Sequence, residues 1–136
     1  MKHPAPRAGS TSAPHFEAAK QGRLLLPHCT ACAKFHWPPQ AACPHCDGAA
    51  DWREAKGTGT LATYSMVYRA VNPELKDDAP YAIGFVDLDE GVRLFTNIVD
   101  AKATDLKSGL RVQCRFEPSM DAELWVPVFA PLPESA

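Results

Sequence analysis

The 136-residue sequence has no long apolar run and no excess of charge of either sign. No stretch approaches the roughly 20 apolar residues that a membrane-spanning helix needs, and the N-terminus lacks the apolar segment of a secretory signal. The formal net charge of −2 offers no general attraction to nucleic acid or to an anionic membrane. The composition therefore predicts a cytoplasmic protein with no membrane partner.

The sequence also has few of the groups that enzymes use for acid–base chemistry. No histidine follows His45, so most of the chain lacks the commonest general base. It contains no G-x-S-x-G, phosphate-binding loop or G-x-G-x-x-G after a strand. Asp87, Asp89 and Glu90 fall at a predicted hairpin turn, where carboxylates are usually solvated. The simplest interpretation is a protein that binds and does not catalyse a reaction alone, which leaves open whether it is an enzyme subunit.

Cysteine, in contrast, occurs in a specific pattern. Two C-x2-C pairs lie ten residues apart, formed by Cys29, Cys32, Cys43 and Cys46. Such pairs supply the four thiolates of a tetrahedral zinc site, and four sulfurs leave no open position at which water is activated. In a reducing cytosol, paired cysteines bind metal more often than they form disulfides, which is the alternative interpretation. The pattern therefore predicts a structural zinc ion.

Two features close to the cysteines qualify that prediction. His28, His36 and His45 could replace a cysteine, but the four thiolates already complete a tetrahedron. Glycine, which readily adopts a positive φ, often follows the second cysteine of such a pair. Ala33 and Asp47 occupy those positions here.

The chain divides by composition into five parts. These are a disordered tail at 1–13, a docking helix at 14–22, a zinc ribbon at 23–55, an OB-fold domain at 56–130 and a second tail at 131–136. Five β-prone segments follow the ribbon, at 60–71, 81–88, 92–99, 110–117 and 123–129. A short helical insert between the third and fourth segments is typical of an OB-fold barrel. The predicted fold class is mainly β: a short helix, a zinc ribbon and a five-stranded barrel.

Alternation within the predicted strands separates core from surface. Cys114 falls on the apolar face of the fourth barrel strand and is interpreted as a core residue, not a nucleophile. Tyr64 and Tyr68 share one face of the first barrel strand, and Phe95 is expected to share an exposed face with Arg93. Aromatic residues on an OB-fold face can stack on bases, but packing in the core or at the barrel ends is their commoner use.

A second group of apolar residues lies beside the predicted zinc site. Phe35, Trp37 and Pro38 have little core to enter there, and clusters of exposed apolar groups mark interfaces. The predicted helix, which carries Phe16, is too short to be stable alone and must dock on the ribbon or on a partner. These four residues are the candidates for contact with a partner protein.

Several short segments occur in an order and spacing that match a known family. Besides the cysteine pairs they are F-E at 16–17, G-R-L-L at 22–25, P-P at 38–39, G-T-G-T-L at 57–61, Y-S at 64–65, P-Y-A-I at 80–83, L-D-E-G-V-R-L at 88–94 and T-N at 96–97. Over nearly all of residues 15–130 the chain resembles the family, long labelled a domain of unknown function, that joins a rubredoxin-like zinc ribbon to an OB-fold and accompanies acyl-CoA enzymes.

The resemblance implies a helper role in lipid or steroid metabolism. Members are similar to accessory subunits of thiolase-like enzymes, including acyl-CoA thiolases, sterol-side-chain aldolases and acyltransferases, and some are fused or bound to hydratases. In such a complex the partner supplies the catalytic cysteine and histidines. The small subunit supports the partner and helps to form the coenzyme A binding channel.

Contacts with acyl-CoA are expected near the junction of ribbon and barrel, where cations would meet phosphates and a ring would stack on adenine. The candidates are Lys34, Arg53, Lys56 and Arg69 for the phosphates, and Trp37 and Tyr64 for the ring. The family usually has a basic residue after the double proline. Gln40 stands there in this chain, which argues against a phosphate contact at that point.

Two alternatives differ in class from the accessory subunit. Zinc ribbons and OB-folds both occur in nucleic-acid-binding proteins, so a nucleic-acid-binding module is the second hypothesis. The acidic balance argues against it, and nucleic acid is not an expected partner. A stand-alone enzyme is the third hypothesis, which the sequence supports with neither an acid–base pair nor an open metal site.

Overall fold

The computed structural model describes residues 3, 13–37, 39–40, 42–69, 73–121 and 124–132. One helix, α1, spans Ala13–Lys20, and two strands form the ribbon, β1 (Leu25–Cys29) and β2 (Ala50–Glu54). The barrel strands are β3 (Thr58–Val67), β4 (Tyr81–Leu88), β5 (Arg93–Ile98), β6 (Arg111–Pro118) and β7 (Trp125–Pro131). Short 3-10 segments lie at Pro73–Asp78 and Ala103–Asp105. The described part of the chain contains no helix with the length and apolar content of a bilayer span.

Helix α1 ends at the glycine that the sequence indicates as its cap. Gly22 has a φ of 77°, which glycine adopts without the penalty that a Cβ imposes. The Gly22 N–H donates to the Ala19 carbonyl at 3.0 Å, and the Arg23 N–H donates to the Ala18 carbonyl at 2.9 Å. This pair of bonds is a Schellman motif. It closes α1 so that its buried side contacts β1, β6 and β7.

The ribbon is a two-stranded antiparallel sheet whose base belongs to the barrel core. Leu25 lies opposite Glu54 at the base, and Cys29 lies opposite Ala50 at the far end. Leu24 and Leu26 are buried in the same apolar cluster as the barrel side chains. Ribbon and barrel therefore share one core at this end.

The five remaining strands close into a barrel in the order β3-β4-β5-β7-β6. Neighbours are antiparallel, except that β5 runs parallel to β7 where Ile98 lies opposite Phe129. The barrel closes between β3 and β6, where Thr60 lies opposite Arg111. This strand order is that of an OB-fold, and the predicted fold class is confirmed. Its centre is filled by Leu61, Val86, Val112 and Phe129, all fully buried.

Strand β3 is shorter than the β-prone run in the sequence. It ends at Val67, which pairs with the first residue of β4, Tyr81, and residues 68–69 bend away. The predicted extension is wrong for residues 68 and 69, because no residue of β4 remains to pair with them, and residues 70 and 71 lie outside the described part of the chain. A bulge lies between Leu61 and Thr63, before both tyrosines. Tyr64 and Tyr68 are both exposed, but only Tyr64 lies within β3.

The predicted tails at 1–13 and 131–136 lie largely outside the described residues. His3 is described, and it is attached to the barrel. Its ring Nε2–H donates to the Glu117 carboxylate at 2.7 Å, and its carbonyl accepts from the Met120 N–H at 2.8 Å. His3 therefore contacts the barrel, and the disorder expected for its segment stays a prediction.

Candidate metal centre and adjoining surfaces

The four predicted ligands meet at the far end of the ribbon. Their sulfur atoms all lie within 4.8 Å of one another. The Sγ atoms of Cys29 and Cys46 are 3.5 Å apart, and those of Cys32 and Cys43 are 3.7 Å apart. Zinc–sulfur bonds of about 2.3 Å place tetrahedral ligands about 3.8 Å from one another. All four thiols are free, which excludes the disulfide interpretation for this structure, and the spacing fits a single ion.

The two cysteine pairs form equivalent turns. The Ala33 N–H donates to the Cys29 carbonyl at 3.0 Å, and the Asp47 N–H donates to the Cys43 carbonyl at 2.9 Å. Ala33 has a φ of 61° and Asp47 a φ of 66°. These are the positive angles that usually favour glycine, and an ordinary residue adopts them at a cost. The turn that orients the sulfurs therefore overrides the local preference of both residues.

Gly48 is a third position at which the sulfur cluster constrains the chain. A Cβ added there would lie 2.9 Å from the Ala31 Cβ, 3.1 Å from the Cys29 sulfur and 3.3 Å from the Cys46 sulfur. The backbone passes too close to the sulfurs to carry a side chain. Sequence reasoning missed this role because the close approach comes from the folding back of the second turn onto the first.

The electrostatics of the cluster indicate a cation. The backbone N–H groups that point at the Cys29 sulfur, led by that of Cys32, lower the pKa of Cys29 to about 6. For Cys32, a hydrogen bond from the Lys34 backbone lowers the pKa, but burial and the three neighbouring sulfurs outweigh it and raise that pKa to about 12. Four thiolates this close repel one another unless a positive ion lies between them. Four sulfur donors suit zinc in a closed, structural site.

The three histidines near the cluster are not needed as ligands. His28 is buried, and its Nδ1 lies 3.3 Å from an Asp51 carboxylate oxygen. His36 is also buried, where desolvation lowers its pKa, whereas His45 is exposed. The four sulfurs complete the site without them.

The apolar residues predicted to contact a partner are less exposed than the sequence suggested. Phe35 and Trp37 are half-buried and pack against the core. The Trp37 ring lies 4.6 Å from that of His15, and the Phe35 ring lies 4.9 Å from that of His28. The expectation that they have little core to enter is therefore wrong, because His15 of α1 covers Trp37 and His28 of β1 covers Phe35. Pro38 lies outside the described residues, and a partner contact by this group stays a prediction.

His15 is a structural residue that sequence reasoning missed. It is only 3% exposed, and its Nδ1–H donates to the Leu25 carbonyl at 2.9 Å. Its ring lies 5.0 Å from that of Phe16 and 4.6 Å from that of Trp37, and burial lowers its pKa. His15 therefore attaches α1 to β1 as a neutral ring. No spacing signal marks it, since a single histidine on a short helix has no pattern.

The six candidates for acyl-CoA contact lie on separate parts of the fold. Lys34 is exposed just after the first cysteine pair. Arg53 on β2 lies 3.3 Å from the Asp51 carboxylate. Lys56 is exposed at the junction, where its backbone N–H donates to Glu90, and Arg69 is exposed beyond β3. The two rings, Trp37 and Tyr64, line different cavities.

The first of these, the junction cavity, lies between α1, the ribbon and the barrel and measures about 260 Å³. His3, His15, Phe16, Trp37 and Phe95 are among its lining residues. The second, the outer cavity, measures about 190 Å³ and lies on the outside of the barrel sheet. It is lined by residues 63–65, 83–85 and 95. Phe95 lines both cavities, so the two adjoin.

The carboxylates at the β4–β5 turn are engaged in ion pairs. Asp87 accepts two hydrogen bonds from Arg93, at 2.7 and 3.0 Å. Asp89 accepts two from Arg111, both at 2.9 Å, and one from the Thr58 hydroxyl at 2.6 Å. The Arg111 guanidinium and the Thr58 hydroxyl hold the pKa of Asp89 well below its usual range. These groups attach β6 and β3 to the hairpin turn, and they are not simply solvated.

The two parts of the chain match two domains of one family. Residues 16–53 match the ChsH2 rubredoxin-like zinc ribbon domain, and residues 52–117 match the ChsH2 C-terminal OB-fold domain. The chain belongs to the ChsH2 family, also named DUF35. The resemblance noted in the sequence is thereby confirmed, as is the zinc ribbon with its four cysteines placed to bind a metal ion.

Relatives of this ChsH2-family chain differ in length. The probable enoyl-CoA hydratase alpha subunit of Thermomonospora curvata is 38% identical over 130 residues, which are 94% of this chain and 40% of that protein. The chain thus spans less than half of that relative. A DUF35 domain-containing scaffold protein of Methanocaldococcus jannaschii is 34% identical over 95 residues, 68% of this chain and 67% of that protein.

Two solved structures are similar to the ChsH2-family chain. A chain of the Ltp2-ChsH2(DUF35) aldolase is 37% identical with a TM-score of 0.82, and the match covers 93% of this chain and 98% of that one. A DUF35-family protein of Sulfolobus solfataricus is 17% identical with a TM-score of 0.60 over 91% of this chain and 87% of that one. The second likeness shows the fold alone.

Proposed function

We propose that this chain is a non-catalytic accessory subunit that binds and supports a thiolase-like acyl-CoA enzyme, a thiolase, aldolase or acyltransferase. The observation that carries the proposal is the likeness, over 93% of this chain, to nearly all of one chain of a two-component aldolase. The relative named as a hydratase alpha subunit supports a role beside acyl-CoA chemistry. The partner would supply the reacting groups, and this chain would supply contacts.

The chemistry of the described residues supports a helper role. A zinc ion held by four sulfurs has no open position for water or substrate and acts as a structural element. The paired carboxylates of the barrel, Asp87 and Asp89, are neutralised by arginines. His15 bonds to a backbone carbonyl inside the fold. None of these groups is placed to act as a general acid or base in an open site. Free thiols in the zinc ribbon suit the reducing cytoplasm, where we place the complex.

We further propose that the chain borders the coenzyme A channel of its partner. Lys34, Lys56 and Arg69 are exposed cations, and Arg53 is half-exposed beside Asp51. They lie on different parts of this chain and would reach one ligand only across a surface shared with the partner. Trp37 and Tyr64, each in a cavity wall, are the candidate stacking surfaces for adenine, a role that each ring would take only where the partner's own chain leaves it uncovered.

The decisive experiment pairs the purified chain with a thiolase-like acyl-CoA enzyme from the same organism. We expect co-production to yield one complex in size-exclusion chromatography with light scattering. Turnover of acyl-CoA by the partner should rise several-fold when the chain is added. Absence of a complex and of any stimulation contradicts the proposal, as does robust turnover by the isolated chain.

The proposed contact with the coenzyme A channel is tested in that complex by a double variant that removes two positive charges. We expect Arg53→Ala with Lys56→Ala to raise the partner's KM for acyl-CoA several-fold at unchanged kcat, because a phosphate contact made equally in ground and transition states is lost. Lys107→Ala, an exposed lysine in the β5–β6 connection, is the matched control. Equal KM values for all three proteins would exclude a role of the junction cations in the channel.

A further inference from the structure

Two exposed phenylalanines form an aromatic pair on the outside of the barrel, with their ring planes tilted by 55°. Thr63, Phe85 and Phe95 lie opposite one another on the adjacent strands β3, β4 and β5. Phe95 is 62% exposed and Phe85 is 40% exposed, and their rings lie 5.3 Å apart. We call Thr63, Phe85 and Phe95 the outer aromatic face. Neither ring contributes to the core, so folding alone does not account for their position.

The charges around this face are already neutralised within the chain. The Arg93 guanidinium lies 6.0 Å from the centre of the Phe85 ring, but it already donates two hydrogen bonds to the carboxylate oxygens of Asp87. Arg111 is paired in the same way with Asp89. A polyanion such as coenzyme A or a nucleic acid needs cations that are not already paired. The outer aromatic face instead suits an uncharged, apolar surface.

The shape beside the face indicates what kind of surface that is. Phe95 also lines the junction cavity, whose volume of about 260 Å³ is open next to the ring. Most of the other lining residues are apolar, among them Phe16, Trp37 and Val126, and the polar ones are His3, His15, Thr96 and Asn97. An exposed pair of aromatic rings beside a recess accepts a protein segment with one projecting apolar side chain, and buried anchors of this kind concentrate interface energy. A second copy of this chain would set one outer aromatic face against another and leave the recess unfilled.

We propose that the outer aromatic face and the junction cavity together are the docking surface for an apolar, uncharged segment of the partner enzyme. Phe95 lies at the centre of this surface, and a side chain of the partner enters the cavity beside it. The inference rests on the proposed function, since it assigns the surface by which the accessory subunit holds its partner. It places the main contact on the barrel strands and not on the cysteine end of the ribbon.

The test measures affinity for the purified thiolase-like partner by titration calorimetry. A carboxylate buried at the centre of an apolar interface has no partner, so we expect Phe95→Asp to weaken binding about 30-fold or more. Phe95→Ser, which adds no charge, should weaken it about 10-fold. Tyr68→Asp is the matched control, because Tyr68 is 72% exposed and lies five residues, roughly 16 Å, along the chain from Thr63. Its affinity should equal that of the wild type.

The outcomes separate this inference from the function on which it rests. Zinc content and thermal unfolding of each variant establish that it is folded before binding is measured. If the wild type forms the complex and both Phe95 variants bind equally well, the docking surface is wrong while the accessory role stands. If the wild type does not bind the partner, both proposals fail. If only polyanions such as coenzyme A compete for the Phe95 surface in the free chain, the protein-docking assignment is overturned.

Discussion

The cysteine end of the ribbon and the centre of the barrel bury very different material. The barrel closes five strands around fully buried aliphatic and aromatic side chains such as Leu61, Val86 and Phe129. The far end of the ribbon buries the sulfurs of Cys29 and Cys43 and few apolar groups. Burial of apolar area stabilises the first region, whereas the second depends on metal–sulfur bonds. One chain thus uses two unlike sources of stability within a short distance.

The boundary between the part stabilised by apolar burial and the part stabilised by the metal does not coincide with the boundary between ribbon and barrel. Leu24, Leu26 and Ala55 belong to the barrel's apolar cluster although they flank or lie in the ribbon strands. The base of the ribbon is therefore stabilised like the barrel, and only its cysteine end depends on the ion. Experiments that remove one source of stability should show where the apolar core ends and the metal-dependent part of the ribbon begins.

Loss of one ligand should have the largest effect. Cys43→Ser leaves an incomplete site, and zinc binding in comparable small domains contributes about 10–16 kcal/mol. We expect zinc to be lost and amide hydrogens near the two turns to exchange rapidly, while those of β4 and β5 stay protected. Elemental analysis and hydrogen exchange measure both. Cys114→Ser is the control, since burial raises the pKa of that thiol to about 12 and it lies outside the cluster. Retention of zinc by Cys43→Ser would contradict the claim that the cysteine end of the ribbon depends on an ion held by all four sulfurs.

A cavity in the barrel should give the opposite pattern. Leu61 is fully buried, so Leu61→Ala is expected to lower the free energy of unfolding by about 2–5 kcal/mol. Zinc content of the folded variant should not change, because the sulfurs are held by their own turns. Urea unfolding with elemental analysis measures both quantities. The exposed change Tyr68→Ala should stay within about 0.5 kcal/mol of the wild type. If Leu61→Ala lost zinc while the barrel kept its stability, the separation between barrel packing and zinc binding would be refuted.

A glycine at the positive-φ position of the first cysteine turn should increase zinc retention without changing the stability of the barrel. Ala33 pays for its φ of 61°, so Ala33→Gly is expected to favour the folded turn by about 1 kcal/mol. Zinc retention against a competing chelator should rise about fivefold, with unfolding of the barrel unchanged. Asp47→Gly should gain less, because aspartate tolerates this conformation better. Weaker zinc retention by Ala33→Gly would show that the methyl group has a packing role.

Acid should weaken the barrel through Asp89, and this is the smallest effect. The pKa of this carboxyl is lowered in the fold by Arg111 and Thr58, so the folded state favours the charged form. The contribution is present above the ordinary carboxyl pKa and is lost as pH falls toward the folded value. In a Cys43→Ser background, which removes zinc release, Asp89→Asn should flatten the fall in stability below about pH 4. Asp77→Asn, at an exposed carboxylate, should not. If stability fell with pH in the same way for all three proteins, the ion pair of Asp89 and Arg111 would have no role in acid sensitivity.

Much of the fold was predictable because its signals are local. The spacing of Cys29 and Cys32 defines a turn, and Gly22 marks the end of α1 where the structure has it. The strand predicted at 81–88 has those bounds in β4. Exposure of Phe95 beside Arg93 followed from alternation and is confirmed, since both are exposed on β5. The same alternation in β4 assigns Phe85 to the outer face.

Other features were beyond reach because they depend on contacts between distant segments. The burial of Trp37 and the ring of His15 against it require α1 to lie over the ribbon. The end of β3 at Val67 is set by where β4 begins to pair. The placement of the acyl-CoA candidates likewise depends on a surface that this chain does not complete by itself. Their role, like the predicted domain boundaries, stays a prediction.

By itself the sequence determined a sulfur-bound metal end, a five-stranded β domain and membership of one family. Each of these can be predicted from residue spacing or alternation along a single stretch of chain. Tertiary structure alone decided that the ribbon base joins the barrel core, that the turn carboxylates are paired with arginines, and that Phe85 and Phe95 meet as one face. Those outcomes depend on strand register and closure, in which residues far apart in the chain become neighbours. A linear pattern records which face a side chain occupies but not which side chains lie beside it.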